Sequence, residues 1–251
     1  MVNDIDLSRR VFSCIDNTTL HATDTDTTVE AFCRHTLELQ GEAYGPVAAV
    51  CVYPRFVAAA KRVLAGSDIR VASVAGAFPH GQLPLELKVA EVQYAVAQGA
   101  DEVDMVLSRG LMLEGDVDGV VREVKAMKQA CQGRTLKVIL ETCELPSPAL
   151  IAQASQLAID GGADFIKTST GKGSAGDTLE AAETMLRVID ENVKKTSKKV
   201  GFKAAGGISE PAEALAYAQL AKKILGDDYV KNQTFRIGAS RLTDCLVAFL
   251  T

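Results

Sequence analysis

Short runs rich in Val, Ile and Phe recur along the whole of this chain, separated by longer stretches of helical period, so the fold must accommodate repeated strand–helix units. Eight strand candidates are readable: a brief one around Cys14 to Asp16, then AAVCVYP from Ala48, RVASVAG from Arg70, EVDMVL from Glu102, LKVILET from Leu136, FIKTST from Phe165, VGFKAAGG from Val200 and FRIGAS from Phe235. These runs are apolar nearly throughout, so both faces need cover, as in a parallel sheet clothed by helices. Eight such units in sequence close most directly into a (β/α)8 TIM barrel, an α/β fold. An open doubly wound sheet is the runner-up, but it usually carries a G-x-G-x-x-G turn after its first strand, and none is present. No Pro/Ser-rich linker divides the chain, so residues 1–251 are expected to form one barrel domain with a short N-terminal helical extension.

The helical stretches each show one apolar stripe, for example Leu85, Val89, Val92 and Val96, or Val117, Val121, Val124 and Met127. Asp177 with Glu180 resembles a capping box, Ser209 and Pro211 open another helix, and Gly99, Gly133, Gly162 and Gly226 follow helix ends. Two junctions repeat almost as words, QGADEVDM and GGADFIKT, placing a helix stop, a tight turn and a strand start in the same order twice.

Charge restricts the ligand. A net charge of -5 with a pI near 5.3 offers no basic face for nucleic acid, so any anion must be caught by a local pocket. No apolar run approaches the roughly 20 residues of a membrane span, and the opening MVNDIDLSRR lacks the form of a secretory signal. The six cysteines scatter from Cys14 to Cys245 without C-x-x-C spacing, which reads as reduced thiols and a cytoplasmic location.

In a barrel of this kind the chemistry lies at the C-terminal ends of the strands. The polar residues there are Asp16, Cys51, Asp104, Lys167 and Lys203. Lys167 and Lys203 each follow two apolar or small residues, in FIK and GFK, and alternation turns both inward on neighbouring strands. Repulsion and desolvation disfavour the charged form, so one amine can be neutral near pH 7 and attack a carbonyl. The alternative is that each lysine pairs with an inward acid such as Asp104. In EVDMV, Glu102 and Asp104 share one face, with Asp104 nearer the catalytic end; it can relay protons or neutralise the lysines. Cys51 is by composition a small core residue, and its place at the barrel mouth also suits a substrate contact.

Gly206 and Gly207 after the seventh strand, and Gly238 with Ser240 at the eighth, occupy the positions where barrels commonly bind phosphate, and TSTGKG adds Gly171 and Lys172. With only His21, His35 and His80 available, no metal site is readable and none is expected.

The words IDNTTL, AAVCVYPRF, GADEVDMV, GADFIKTSTGK, GFKAAGG and FRIGAS, in this order, strongly resemble the deoxyribose-phosphate aldolases from about Ile15 to Leu242. The resemblance implies reversible cleavage of 2-deoxy-D-ribose 5-phosphate to acetaldehyde and D-glyceraldehyde 3-phosphate, without metal or organic cofactor. Lys167 would form a Schiff base, Lys203 would depress its pKa, and Asp104 would join Lys203 in proton transfer through water. Asp16 and Cys51 would line the substrate's carbon chain, and Gly171, Lys172, Gly206, Gly207, Gly238 and Ser240 would hold the phosphate. Members of the family often have Pro and Arg where this chain has Ala204 and Ser209, and a second Ser where it has Arg241. Charge is thus expected to move from one loop to the next, with Arg241 joining the phosphate ligands. The expected partner is a small phosphorylated sugar, with no nucleic acid and no membrane; the sequence does not fix the oligomeric state, and a homodimer is one assembly it leaves open. Another Schiff-base sugar-phosphate aldolase, a transaldolase, or a non-catalytic phosphosugar-binding barrel are the rival readings.

Overall fold

In a computed structural model, which describes residues 5–250, every apolar run is a strand and every periodic stretch a helix. The helix α1 (Ile5–Phe12) precedes β1 (Ile15–Thr18). Then follow α2 (Asp26–Glu38), β2 (Ala49–Val52), α3 (Val57–Val63), β3 (Arg70–Ala75), α4 (Leu85–Ala97) and β4 (Glu102–Val106). The second half holds α5 (Arg109–Glu114), α6 (Val117–Ala130), β5 (Thr135–Ile139), α7 (Pro148–Asp160), β6 (Phe165–Lys167), α8 (Leu179–Thr196), β7 (Gly201–Ala205), α9 (Pro211–Leu225), β8 (Phe235–Ala239) and α10 (Leu242–Leu250). Neighbouring strands pair in parallel in chain order, and β8 returns to β1 with Ile15 opposite Ile237, so the sheet closes into a (β/α)8 barrel. Closure leaves no sheet edge exposed.

The repeated junction words mark one construction used twice. Asp101 accepts the backbone N–H of Val71 at 2.8 Å and an ion pair from Lys61 at 3.0 Å. Asp164 accepts the backbone N–H of Leu136 at 2.7 Å and an ion pair from Lys128 at 2.5 Å. Each carboxylate therefore ties the start of one strand to its predecessor and to a preceding helix.

Helix starts differ from the sequence reading by one residue. Thr178, not Asp177, caps α8, accepting the N–H of Ala181 at 3.1 Å. Glu210, not Ser209, is the N-cap of α9, and Glu213 reaches back to the N–H groups of both Ser209 and Glu210. Asp, Ser, Thr and Glu can all act locally as caps, so composition alone leaves the position open.

Two buried faces also differ from their apolar stripes. On α6 the core residues are Val120, Val124 and Met127, whereas Val117 is 37% exposed; on α4 they are Val92, Ala95 and Val96. The faces are set by a buried ion pair between Lys88 of α4 and Glu123 of α6, at 2.6 Å, which also engages Ser108. Glu123 accepts the Ser108 N–H as well, so the pair anchors the start of α5.

Removing one member of a buried pair strands the other charge, at a cost of about 3–5 kcal/mol. Glu123→Ala should therefore lose about 3 kcal/mol or more in urea unfolding, and the double variant Lys88→Met with Glu123→Leu should recover most of it. A loss under about 1 kcal/mol in the single variant would contradict this account.

Candidate active site

The interior of the barrel is divided. Ala49 and Cys51 of β2, with Ala72 and Val74 of β3, make one side apolar. The opposite side carries Asp16 on β1, Glu102 and Asp104 on β4, Lys137 on β5, Lys167 on β6, Lys203 on β7 and Arg236 on β8, all buried. Strand alternation turns each of them inward, and the parallel register sets Asp104 beside Lys137 and Lys167 beside Lys203.

Each carboxylate oxygen in this layer has a cationic partner. Asp16 receives Arg236 and Lys203, both at 2.5 Å. Glu102 receives Lys137 at 2.6 Å and Arg236 at 2.7 Å, with the half-exposed Arg70 at 3.0 Å from the barrel's lower end. One oxygen of Asp104 takes Lys137 at 2.7 Å, and the other is shared by Lys203 at 2.7 Å and Lys167 at 2.9 Å. Four buried cations thus face three carboxylates, and one positive charge has no counterpart. Lys167 is the least supported: its one carboxylate contact is to an oxygen it shares.

The titration of these groups follows. Burial pushes the Lys167 amine down, Asp104 opposes this and Lys203 adds to it, leaving the amine below the ordinary lysine range. Burial also acts on Lys203, but Asp104 and Asp16 outweigh it and hold that amine above the range. For Asp104, burial favours the neutral acid, yet Lys137, Lys167 and Lys203 together keep it well below the carboxylate range. Burial pushes the Cys51 thiol up to about 11, with Asp104 adding to the shift, so it remains protonated at neutral pH. An amine whose pKa is lowered, beside a carboxylate and a second amine whose pKa is raised, is the set suited to attack a carbonyl and move protons about it.

A cavity of about 230 Å³ opens above this layer, and of the charged groups just described only Lys167 lines it. Its walls include all seven expected phosphate residues: Gly171, Lys172, Gly206, Gly207, Gly238, Ser240 and Arg241. Lys172 and Arg241 are exposed, and among the described residues neither has a carboxylate partner. The Ser209 and Glu210 amides at the start of α9 are occupied by Glu213 and are not open to an anion. Gly238 lies within β8; a Cβ there would stand 3.0 Å from Cε of Lys203, so the missing side chain gives that lysine its room.

Asp16 and Cys51 are buried and line no part of the cavity. Asp16 is engaged by Arg236 and Lys203, so it stands in the supporting charge layer and not on the cavity wall. Sequence reasoning missed Lys137 and Arg236, although LKVI and FRIG carry the same apolar–cation–apolar signal as FIK and GFK. It also left Glu102 without a role and passed over His21, which lines the cavity. Among the described residues no group of three or more His, Cys, Asp or Glu side chains is arranged to hold a metal ion, and no helix is long and apolar enough to cross a membrane.

Comparison with known proteins points the same way as the geometry. A model for the DeoC/LacD family aldolases matches residues 10–240. A protein from Coccidioides immitis described as a candidate deoxyribose-phosphate aldolase is 29% identical, with a TM-score of 0.81 over 95% of this chain and 85% of that one. QR15, an aldolase, is 31% identical, with a TM-score of 0.78 over 96% of both chains. Deoxyribose phosphate aldolase from Aeropyrum pernix, described as a tetramer, is 25% identical, with a TM-score of 0.75 over 99% of this chain and 97% of that one.

With its pKa lowered, Lys167 should be acylated by an amine-selective reagent at a lower pH than the surface lysines. Lys203→Leu removes the repelling ammonium, so the midpoint of Lys167 modification should move up by about 1 pH unit or more. Peptide mass mapping across a pH series reads both; an unchanged midpoint would show that Lys203 does not set the Lys167 amine.

Proposed function

This chain belongs to the DeoC/LacD aldolase family, and on that premise we propose that it cleaves 2-deoxy-D-ribose 5-phosphate reversibly to acetaldehyde and D-glyceraldehyde 3-phosphate through a Schiff base on Lys167. The observation that carries the proposal is the placement of Lys167: the amine with the weakest claim to a proton is the one charged-layer group on the cavity wall.

The neutral amine attacks the C1 aldehyde of the open-chain sugar, and loss of water from the carbinolamine gives a protonated imine. Removal of the C3 hydroxyl proton then breaks the C2–C3 bond. That oxygen becomes the aldehyde of glyceraldehyde 3-phosphate, and the bonding pair moves toward the imine nitrogen to leave a two-carbon enamine. Protonation of the enamine at C2 and hydrolysis release acetaldehyde and restore the amine. In this reading Asp104 and Lys203, 2.7 Å from one another in the layer beneath Lys167, pass these protons through water. Lys137, Arg236, Asp16 and Glu102 hold that pair in place. The chemistry calls for no metal or organic cofactor.

The far end of the cavity suits the phosphate. Gly171, Lys172, Gly207, Ser240 and Arg241 line it, and among the described residues neither Lys172 nor Arg241 pairs with a carboxylate, so both cations are free to meet an anion. The Ser209 amide belongs to Glu213, and Arg241 brings positive charge from the loop after β8.

An assay for acetaldehyde release from 2-deoxyribose 5-phosphate tests the activity directly, and no release at saturating substrate would reject it. A charge-assisted hydrogen bond contributes roughly 1.5–3 kcal/mol, so Arg241→Ala should raise KM for this substrate about 10- to 100-fold. The same change should leave unphosphorylated 2-deoxyribose nearly unaffected. Equal effects on both sugars would remove Arg241 from the phosphate ligands.

A further inference from the structure

After β5 the chain turns through Glu141 in a left-handed backbone conformation, φ 54° and ψ 65°, which residues with a Cβ seldom adopt. The side chain is buried, 1% exposed, and among the described residues no lysine or arginine pairs with it. A strained backbone and a buried acid without a cation are each unfavourable, and finding both at one residue asks what they secure.

The donors to this carboxylate come mainly from the loop after β6. The Thr170 N–H donates to both oxygens at 3.3 Å, and the Thr170 hydroxyl donates to Oε2. Thr170 Oγ1 in turn accepts the N–H of Lys172 at 3.0 Å. Gly173 packs on the same post, since a Cβ there would meet Cys143 Sγ at 3.2 Å and the Glu141 carboxyl at 3.4 Å. The inner face of the loop from 170 to 173 is therefore committed to Glu141, while Gly171 and Lys172 remain on the cavity wall.

We infer that Glu141 is a positioning residue for anion binding: without touching the ligand, it holds Thr170, Gly171 and Lys172 in the conformation that presents Gly171 and Lys172 to a phosphate group. The inference rests on the phosphate end of the cavity described under the proposed function. A purely structural role at the end of β5 would disturb folding or all substrates alike. A positioning role moves phosphate recognition and spares the chemistry at Lys167.

Glu141→Gln keeps the size of the side chain but replaces one acceptor oxygen with a donor facing the Thr170 N–H and hydroxyl. Thr170→Val removes the hydroxyl alone and serves as the second variant should Glu141→Gln fail to fold by circular dichroism. In either variant the Kd for inorganic phosphate, measured by calorimetry, should rise about fivefold or more. KM for 2-deoxyribose 5-phosphate should rise about tenfold with kcat within about threefold, and kcat/KM for unphosphorylated 2-deoxyribose should stay within about twofold. The two changes combined should fall short of additive, because they break shared bonds. Unchanged phosphate affinity, equal losses on both sugars, or a wild-type protein that binds no phosphate would overturn the inference. If the wild-type protein binds phosphate but cleaves no 2-deoxyribose 5-phosphate, the substrate assignment fails, and the phosphate Kd ratio still decides the role of Glu141.

Discussion

The structure turns on an unbalanced charge inside a closed barrel. Ionised groups are costly to bury, and Asp16, Glu102, Asp104, Lys137, Lys203 and Arg236 are tolerable there because each has short contacts to opposite charge. Lys167 joins this layer last and nearest the mouth, with half a claim on one oxygen of Asp104. The barrel thus resolves its surplus charge at one defined amine, the one a ligand in the cavity would meet. The proposed activation of Lys167 would in this sense follow from how the core is balanced, since an ion pair of its own would hold the amine's pKa up.

The same strand that carries this amine leads into the loop that borders the other end of the cavity. Gly171 and Lys172 follow Lys167 by four and five positions, so a small carbonyl compound with an anionic tail can meet both ends of one short segment. That segment is clamped from both sides. Glu141 takes its inner face, and the Thr168 hydroxyl donates to the Ala205 carbonyl at 3.1 Å and accepts the Ala205 N–H at 3.0 Å, joining it to the end of β7. Farther along the same loop the Asp177 N–H donates to the Gly206 carbonyl at 3.1 Å, and burial pushes the Asp177 carboxyl up to about 7. The strands below and the tethered loops above hold Lys167 and Gly171 on the wall of one cavity.

Much of this was legible in the sequence, and the limits have a physical reason. The strands were readable because both faces of each must be apolar, and the GAD junctions because they reuse the same Asp-to-backbone contacts at Asp101 and Asp164. Lys167, Lys203 and Asp104 were readable because alternation predicts facing. Alternation does not give depth in the barrel or partners across it, so Lys137 and Arg236 escaped notice, Glu102 was seen on the Asp104 face but given no role, and Asp16 was expected on the cavity wall instead of in the layer beneath. The α6 stripe misled because the partner of Glu123 is Lys88, 35 residues away, and two buried charges fixed the helix's orientation. Glu141 left no local signal: its strain and its bonds to Thr170 exist only once β5 and β6 lie side by side.

The central claim is that the surplus charge leaves Lys167 as the reactive amine. Borohydride added with acetaldehyde reduces an imine irreversibly, and peptide mass mapping then locates the adduct. The account predicts a two-carbon adduct confined to Lys167. An adduct on Lys137, Lys203 or a surface lysine instead, or no adduct on a protein that still cleaves its substrate, would contradict it.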